Sequence, residues 1–598
     1  MRGSSVTLTG QIAWGYAWDR AIRSGFSRSL LVGFVAIFIL LFLLFKSPTT
    51  PFVVLFPVLV AVLASFGLMH FIQIPLNFLT AMFGAVTLGL GVDYAIHLVH
   101  RYHEESARGG QGREQGREQG QGGNNERALN IACMKIGRNT LVTSLTTMAA
   151  FSSMALSPIR MLGEYGIMSF IAISFSALSV FLFVPSLLVL EEKIGWGARG
   201  GRGVGGGVGG GAGGGRRTLD FSGLARLLGT ERLISRTMER VADFSLKRSV
   251  GAVLIIGLTL LPILAGVGMI ESRSEQEMWI PEGDPLMVAW RVVDEEFCDY
   301  EYSTILVRAD DIRTPEMMKA LAEVEASVRE VPGVVAVTGI NCLLEGEGGG
   351  EIRAEKREIE RRIAAIPADL RESFVTNDYT AALIIIKADE EIEEKQVREI
   401  DDAILFVETP GDASFRHASF STLFSQMDRM MEESQAKTTG VSLVLVFAIL
   451  FSFFRTPFRI ILAFAPVLFA IIYALGTMGL VGIPFTPLTV MIMTILIGLG
   501  TDYSVHFVSR YREERAKGFE TQAALQTTTL TVGSAILTAS LTTLFGFLAL
   551  TTMSLVPVQE FGRIAAVGLV YAAFLTPVVV SLGILAQERV AQALKRRF

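Results

Sequence analysis

The sequence has few of the residues that form disulfide bonds or bind metal ions. Its 598 residues include 3 Cys and 6 His. The cysteines (Cys133, Cys298 and Cys342) are far apart and form no C-x-x-C pair, which argues against a disulfide framework or a cysteine-ligated metal. The histidines show neither H-E-x-x-H nor H-x-x-x-H spacing, and no G-x-S-x-G or G-x-x-x-x-G-K-[ST] motif occurs. We therefore predict that the chain is not an enzyme.

Charge is also scarce. Charged residues make up 19% of the chain and hydrophobic residues 51%, and the mean hydropathy is +0.46. Water-soluble domains rarely have this balance, so the composition predicts a polytopic membrane protein. A bilayer core needs about 20 mostly apolar residues per helix. Eleven such runs are present, near residues 30–46, 51–71, 78–100, 139–157, 163–190, 250–269, 438–454, 457–480, 487–508, 527–551 and 564–586.

The two groups of five spans form an internal repeat. The stretch G-L-G-V-D-Y-A-I-H (89–97) lies over G-L-G-T-D-Y-S-V-H (498–506) at an offset of 409 residues. After the low-complexity insert 111–123, T-S-L-T-T (143–147) matches A-S-L-T-T (539–543) at an offset of 396. Six crossings separate the two copies, so both point the same way, as in a parallel repeat about the membrane normal.

The repeat divides the chain into six parts. They are an N-terminal segment (1–29), a first membrane half of five helices (30–190), a linker rich in Gly and Arg (191–249), a helix that opens the second repeat (250–270), a polar α/β domain (271–437), and a second membrane half of five helices with a basic tail (438–598). The linker's glycine run 204–215 lacks the repeated aromatic residues of RNA-binding segments. It therefore favours a flexible linker, and we expect no nucleic-acid partner.

The Lys and Arg distribution predicts the orientation. If the 93–143 loop is cytoplasmic, 29 Lys and Arg residues lie on the cytoplasmic side, while the short loops on the other side hold Arg160 and Arg563. This asymmetry follows the positive-inside rule. We therefore predict a multi-pass protein of the cell membrane in which 271–437 is extracytoplasmic.

The 271–437 region alternates strand and helix patterns. Thr314 followed by Pro315 and an acid is typical of a helix start. Strands are predicted at 301–308, 334–338, 381–387 and 413–417, with further helices near 353–365 and 392–406. This order predicts a small domain of split βαβ units.

Two acids stand out inside the apolar spans. Asp93 and Asp502 occupy equivalent positions in the two halves, and a carboxylate there costs roughly 2.5–3.5 kcal/mol on insertion scales. The spans carry no Lys or Arg away from their ends, and a carboxylate buried without a cation favours its protonated form. We predict a proton relay. The alternative is a pair of permanently satisfied acids that only fix helix packing.

Other equivalent pairs surround the acids. Tyr94 and Tyr503 lie beside them and can donate or accept a hydrogen bond. His97 and His506 follow one turn later; they either extend the relay or end the helix at the cytoplasmic interface. The remaining candidates are the hydroxyls Ser144, Thr147, Ser540 and Thr543, which could receive the proton, hold water or merely pack, and the glycines Gly89, Gly91, Gly498 and Gly500, which allow a close helix neighbour.

The paired motif resembles the resistance-nodulation-division (RND) superfamily, specifically its mycobacterial-membrane-protein-large (MMPL) branch and the archaeal hydrophobe-amphiphile exporters. The matching residues are G-x-G-x-D-Y at 89–94 and 498–503, each followed by R-Y-x-E-E at 101–105 and 510–514. Together with the eleven spans counted above, the resemblance predicts an α-helical polytopic membrane protein of about eleven helices in two parallel pseudo-repeats, with one extracytoplasmic α/β porter-like domain of split βαβ units. It also implies export of hydrophobic or lipid-like molecules, driven by the proton-motive force.

The resemblance further implies a longer functional unit. Members of the superfamily have twelve helices and a first porter domain ahead of the point that corresponds to the start of this sequence, so residues 1–29 look like a remnant of that domain. By repeat symmetry we expect an upstream segment of roughly 150–200 residues, in frame or as a separate polypeptide.

No cofactor is expected, and the coupling ion is a proton, with sodium as the alternative. Expected partners are membrane lipids and a hydrophobic or amphiphilic substrate, and a homo-oligomer is a further candidate. Two other functions in the same superfamily remain open: an accessory subunit for protein export, and a sterol-sensing-type lipid receptor.

Overall fold

The computed structural model describes residues 11–45, 47, 49–111, 121–194, 230–271, 284, 285, 287–289, 291, 292, 301–345, 355–388, 394–418 and 420–597. The glycine run 204–215, most of the 111–123 insert and most of the linker preceding 230 lie outside these residues. The described residues form two compact units, one mainly of membrane helices and one α/β unit within 282–430.

The membrane unit consists of long helices around an apolar core. In the first half they are α1 (Gln11–Phe45), α2 (Thr50–Phe71), α3 (Phe78–Gln111), α4 (Gln121–Ser153) and α5 (Arg160–Ile194). Two more, α6 (Thr230–Lys247) and α7 (Ser249–Val267), precede the α/β unit. The second half contains α13 (Phe420–Phe454), α14 (Pro457–Val481), α15 (Met491–Ala516), α16 (Thr521–Thr528), a π-helical turn (Thr529–Gly533), α17 (Ser534–Ala549) and α18 (Val556–Arg597).

The structure confirms the internal repeat. Helices α1 and α13 have the same bounds when shifted by 409 residues, and short 3₁₀ turns at Met154–Leu156 and Leu550–Thr552 correspond at the offset of 396. Gly166 packs against the Phe151 carbonyl oxygen, and its equivalent Gly562 packs against that of Phe547. The two halves therefore share their packing as well as their sequence motif.

Ten helices of the described chain are long and apolar enough to cross a membrane. They match ten of the eleven predicted spans, and the multi-pass fold is confirmed. The eleventh prediction, 139–157, falls on the C-terminal part of α4, whose sequence is more polar. This part of α4 packs against α15 as α17 packs against α3, so it occupies the equivalent place in its half.

Several helices start earlier than the apolar runs indicated. Helix α1 begins at Gln11, within the segment assigned to an external remnant, and α13 begins at Phe420, within the region assigned to the polar domain. The predicted boundaries at 29/30 and 437/438 therefore do not mark helix starts. The reason is physical: hydropathy locates the part of a helix that suits lipid, whereas backbone hydrogen bonding continues through polar sequence.

Helix α7 confirms the prediction of a span at 250–269, and it packs on its own half. Gly266 of α7 faces Gly476 and Gly479 of α14 so closely that a methyl group at any of the three would clash with the neighbouring backbone. The Tyr473 hydroxyl donates to the carbonyl oxygen of Ile256 at 3.0 Å. Small residues that let two backbones approach are a common basis of helix association in membranes.

The α/β unit contains β1 (Glu301–Arg308), α8 (Pro315–Arg329), β2 (Val334–Thr338), α9 (Ile340–Glu345), α10 (Lys356–Ala365), α11 (Ala368–Glu372), β3 (Ala381–Ala388), α12 (Glu394–Leu405) and β4 (Ser414–Ala418). The sheet order is β2-β3-β1-β4, with antiparallel neighbours throughout. Hence β1 and β2 run parallel with β3 between them, and β3 and β4 run parallel with β1 between them. These are two interleaved split βαβ units, as predicted.

Local sequence explains how this unit is built. Thr314 accepts a hydrogen bond from the Met317 backbone N–H and caps α8 as predicted. Alternate residues of β3 point into the apolar core. Asp311, after β1, pairs with Arg313 at 2.8 Å and with Lys356 at the start of α10 at 2.7 Å. The hydrogen bonds from Arg313, together with Lys356, hold the pKa of Asp311 well below its usual value despite partial burial.

Candidate functional site

The two acids lie on the central helices of the membrane unit. Asp93 on α3 is 7% exposed and Asp502 on α15 is 9% exposed. Nearly all residues of α15 from Met491 to Val508 are buried, because helices of the same half and α4 of the other half surround it. The carboxyl groups are therefore in the protein interior and do not face lipid.

Asp93 is bound by hydroxyl groups of the opposite half. Thr543 Oγ1 lies 2.9 Å from Asp93 Oδ1 and 3.0 Å from Oδ2, and Thr542 donates to Oδ1 at 3.3 Å. Both threonines are on α17, whereas Asp93 is on α3. A hydroxyl donor is well suited to a group that changes charge, because it can donate to the carboxylate and accept from the protonated acid.

Asp502 has the equivalent environment in the second half. Thr147 on α4 donates to Oδ2 at 2.9 Å and Thr146 to Oδ1 at 3.2 Å. Neither Asp502 nor Asp93 forms an ion pair with any described residue. The two acids thus share one chemistry, and each depends on the other half of the membrane unit for its hydrogen bonds.

The motif glycines make this contact possible. A methyl group at Gly89 would lie 3.2 Å from Thr543 Cα, and one at Gly498 would lie 3.3 Å from Thr147 Cα. These are contacts with backbone atoms of the opposite half, which cannot move as a side chain can. The predicted role of Gly89 and Gly498 in close helix approach therefore agrees with the geometry.

Gly91 and Gly500 allow a different close approach. Gly91 faces Val58 of α2, where a methyl group would lie 2.7 Å from Val58 Cγ1, and Gly500 faces Val467 of α14 at 3.1 Å. Val58 and Val467 are equivalent residues of the repeat. Alternate glycines of the motif thus serve two faces of the same helix, one toward the opposite half and one toward its own.

The two tyrosines are buried beside the acids, with Tyr94 4% exposed and Tyr503 1% exposed. Among the described residues the buried Tyr503 hydroxyl has no hydrogen-bond partner. It is therefore a donor and acceptor still open for water or a shifted neighbour.

The histidines form a pair. The rings of His97 and His506 stack with centroids 4.3 Å apart and planes 20° from parallel. Helix α3 continues to Gln111 and α15 to Ala516, so the alternative that the histidines end their helices at the interface is wrong. Backbone hydrogen bonding continues in both helices for at least ten residues beyond the histidines.

Of the four predicted hydroxyls, the structure brings two to the acids. Thr147 and Thr543 contact them, whereas Ser144 and Ser540 donate to carbonyl oxygens of their own helices, at 3.0 Å to Leu141 and 2.9 Å to Leu537. Sequence reasoning chose residues at i, i+3 spacing and missed the adjacent Thr146 and Thr542. The duplicated T-T pair of the repeat was the available signal.

A second polar group was also missed. Arg101 and Arg510, 5% and 4% exposed, follow the histidines by one turn and contact glutamates of both halves. Arg510 Nη2 lies 2.8 Å from Glu104 Oε1, and Arg101 Nη2 lies 3.4 Å from Glu513 Oε2. We call these four residues the arginine–glutamate cluster. The paired R-Y-x-E-E motif signalled it, although sequence alone assigned the motif no role.

Comparison with known proteins gives a consistent family assignment. A model described as the MMPL family matches residues 1–204 and 280–593. A membrane protein of Methanocaldococcus jannaschii is 28% identical over 380 residues, which cover 61% of this chain and 97% of that protein.

Mycobacterial exporters match over shorter stretches. The trehalose monomycolate exporter MmpL3 of Mycolicibacterium smegmatis is 33% identical over 175 residues, 28% of this chain and 16% of that protein. The sulfolipid-1 exporter MmpL8 of Mycobacterium tuberculosis is 22% identical over 258 residues, 42% of this chain and 20% of that protein. The match thus spans a fifth or less of each exporter.

A solved structure shares the fold. SecDF, a translocon-associated membrane protein of Thermus thermophilus, aligns with 96% of this chain and 63% of its own at a TM-score of 0.55 and 14% sequence identity. At this identity the likeness concerns the architecture alone.

Proposed function

This chain belongs to the MMPL family, and on that premise we propose that it exports hydrophobic or lipid-like molecules across the cell membrane, driven by protons that Asp93 and Asp502 bind and release. The observation that carries the proposal is the crossed binding of each acid by threonines of the opposite half.

The crossed contacts give proton binding a mechanical consequence. Ionised Asp93 accepts the single O–H of Thr543, which is within reach of both carboxyl oxygens, and the O–H of Thr542. The protonated acid loses acceptor capacity and becomes a donor. Hydrogen bonds to charged groups are worth about 1.5–3 kcal/mol. Protonation therefore changes the free energy with which the halves hold together at this point, and the position of the halves changes proton affinity by the same amount.

The two acids differ in which half supplies their donors, so they are suited to alternate. One half brings α17 to Asp93, and the other brings α4 to Asp502. A relative movement of the halves could strengthen one contact while weakening the other. Because the membrane interior penalises an unpaired charge, the movement and the two protonation states become one coupled cycle.

The proposed substrate class rests on the named relatives. Two of the matching proteins are exporters of trehalose monomycolate and of sulfolipid-1. We extend from them only the shared chemistry, an amphiphile with a large apolar part. Transport, not bond-making chemistry, is then the activity of the chain.

Reconstituted vesicles test the proposal. The purified chain, with and without the additional segment expected from repeat symmetry, is placed in liposomes with a fluorescent, nitrobenzoxadiazole-labelled phospholipid as probe. A pH gradient is imposed, and movement of the probe between leaflets is followed by dithionite quenching. Asp93→Asn and Asp502→Asn should each abolish gradient-dependent movement, because an amide keeps the size of the side chain but cannot titrate. Asp243→Asn, at an exposed acid paired with Lys247 on α6, is the matched control. Full gradient-dependent movement in either relay variant would refute the relay.

A protein-export accessory subunit is the second candidate, favoured by the fold shared with SecDF. It predicts no lipid movement but faster translocation of a secretory precursor protein in vesicles that also contain a translocon.

A sterol-sensing-type receptor is less favoured, since a sensor has no need of two titrating acids. Replacing the pH gradient by a sodium gradient distinguishes the two coupling ions.

A further inference from the structure

Ionisable residues extend from each acid toward the end of its helix. Asp93, His97, Arg101 and Glu105 follow one another at four-residue spacing on α3, and Asp502, His506, Arg510 and Glu514 repeat the pattern on α15. Residues at this spacing lie along one face of a helix. Twelve residues of helix rise about 18 Å, so each row leads from the middle of the membrane unit toward the face predicted to be cytoplasmic.

A cavity of about 40 Å³ lies between the two rows. Its titratable wall residues are both histidines of the stacked pair, a third histidine, His100, and the four residues of the arginine–glutamate cluster, and Asn139 and Ala535 complete the part of the wall used below. A space of this size holds about two water molecules, and a polar lining gives them hydrogen-bond partners. In addition, Arg101 Nε is buried with no partner among the described residues. A buried donor left unsatisfied costs free energy, and cavity water would remove that cost.

The arginine–glutamate cluster lines this cavity and makes contacts between the halves. Glu104 of the first half binds Arg510 of the second at 2.8 Å, and Arg101 of the first half reaches Glu513 of the second at 3.4 Å. Each arginine also keeps a partner on its own helix, Glu105 for Arg101 at 2.9 Å and Glu514 for Arg510 at 3.0 Å. The arginines would therefore stay paired if the halves moved apart, and only the contacts between halves would open.

We propose that this cavity is the coupling proton's exit from Asp93 and Asp502 toward the cytoplasm, and that the Glu104–Arg510 ion pair is its gate. The inference rests on the proposed function, because it supplies the proton path for the same acids. With the gate open, a proton passes from a protonated carboxyl group to an imidazole of the stacked pair one turn away and then to water in the cavity, so the imidazole returns to its starting charge and the carboxylate is free to bind the next proton.

Proton leak measures the gate without any lipid substrate. The full chain is reconstituted in vesicles containing a pH-sensitive dye, and proton uptake is driven by a potassium diffusion potential. Glu104→Gln removes the charge of the gate while leaving Arg510 its partners Glu513 and Glu514, so proton uptake should rise roughly tenfold. Glu358→Gln, which breaks an exposed ion pair in the α/β unit, should leave the uptake rate unchanged.

Thiol labelling measures the same opening independently. Ala535→Cys is introduced into a chain in which Cys133, Cys298 and Cys342 are replaced by serine, and its reaction with a small methanethiosulfonate reagent is timed. Labelling should be several-fold faster when Glu104→Gln is also present. If that variant does not fold, Glu513→Gln breaks the equivalent contact with Arg101 and should act in the same direction, less strongly because that contact is longer.

The two readouts separate this inference from the proposed function. Unchanged labelling and unchanged uptake in folded Glu104→Gln overturn the gate. Faster uptake that is lost when Asp93→Asn or Asp502→Asn is added supports the gate and the relay together. Faster labelling with proton uptake that does not depend on either acid supports the gate but overturns the relay.

Discussion

Thr543 Oγ1 lies 2.9 and 3.0 Å from the two carboxyl oxygens of Asp93, although the two residues are 450 positions apart and belong to opposite halves of the repeat. Thr147 makes the equivalent contact with Asp502 at 2.9 Å. Each half therefore supplies the acid of one site and the hydroxyl donor of the other. A movement between the halves cannot leave either acid unaffected.

Thr543→Val tests this contact, because valine keeps the shape of the side chain and removes the donor. Gradient-driven movement of the labelled phospholipid should fall roughly 10- to 100-fold, as expected for loss of a hydrogen bond to a charged group. Ser540→Ala, on the same helix but bonded to its own Leu537 carbonyl, is the control and should stay within about twofold. Equal rates for the two variants would contradict a role for the crossed contact.

Gly89→Ala should destabilise the membrane unit by about 1–3 kcal/mol, since its methyl group would press on the Thr543 backbone. The midpoint of thermal unfolding in detergent, followed by size-exclusion chromatography, should fall. Gly67→Ala on α2 meets nothing within 4 Å and should leave stability unchanged or raise it by about 0.5–1 kcal/mol. A Gly89→Ala protein as stable as the Gly67→Ala protein would show that the halves are not tightly packed there.

His97→Ala and His506→Ala should shift the pH dependence of transport, because the stacked pair lies between the cavity and the acids. The two changes should also be non-additive, with a coupling free energy of about 0.5–3 kcal/mol, since the rings are in contact. Transport rates measured from pH 5 to pH 9 on the single and double variants give both quantities. A lower unfolding midpoint with an unchanged pH profile would instead mean that the histidines only pack.

Asp311→Asn should weaken the α/β unit in a pH-dependent way. Arg313 and Lys356 hold the folded-state pKa of Asp311 below its unfolded value, so the stabilisation is present above the unfolded value of about 3.9 and is lost as pH falls toward the folded value. At neutral pH the loss should be about 1 kcal/mol. Hydrogen exchange of the amides in α10, compared at pH 7 and at about pH 2.5 in the full chain, measures it.

The neighbouring exposed acid provides the control for that measurement. Asp310→Asn should leave α10 protection unchanged at both pH values. A difference between Asp311→Asn and the parent chain that grew as pH fell would contradict the assigned ion pairs, because it would have the opposite sign.

Local patterns were sufficient for much of the fold. The Thr314 cap, the alternating strand β3 and the run of α7 each depend on residues close in sequence, and each was predicted within a few residues of its observed place. The starts of the membrane helices were harder to predict from the sequence. Nothing in the apolar pattern of α13 indicates that the helix begins as early as Phe420, because backbone hydrogen bonding does not require apolar side chains.

The sequence by itself determined which residues are candidates for the site. The duplicated motif identified Asp93 and Asp502, because placing a carboxyl group inside the membrane costs free energy and is rarely retained without a role. Its glycines indicated close helix packing, because a residue without a side chain lets a neighbouring backbone approach.

Only the tertiary structure decided which residues the two acids contact. Because both halves carry the same motif, the sequence pattern alone could not tell whether Thr147 contacts Asp93 of its own half or Asp502 of the other half. Helix packing settles this, because Gly89 and Gly498 admit the backbone of the opposite half. The same packing brings His97 to His506 and Glu104 to Arg510, contacts between distant segments that no local spacing encodes.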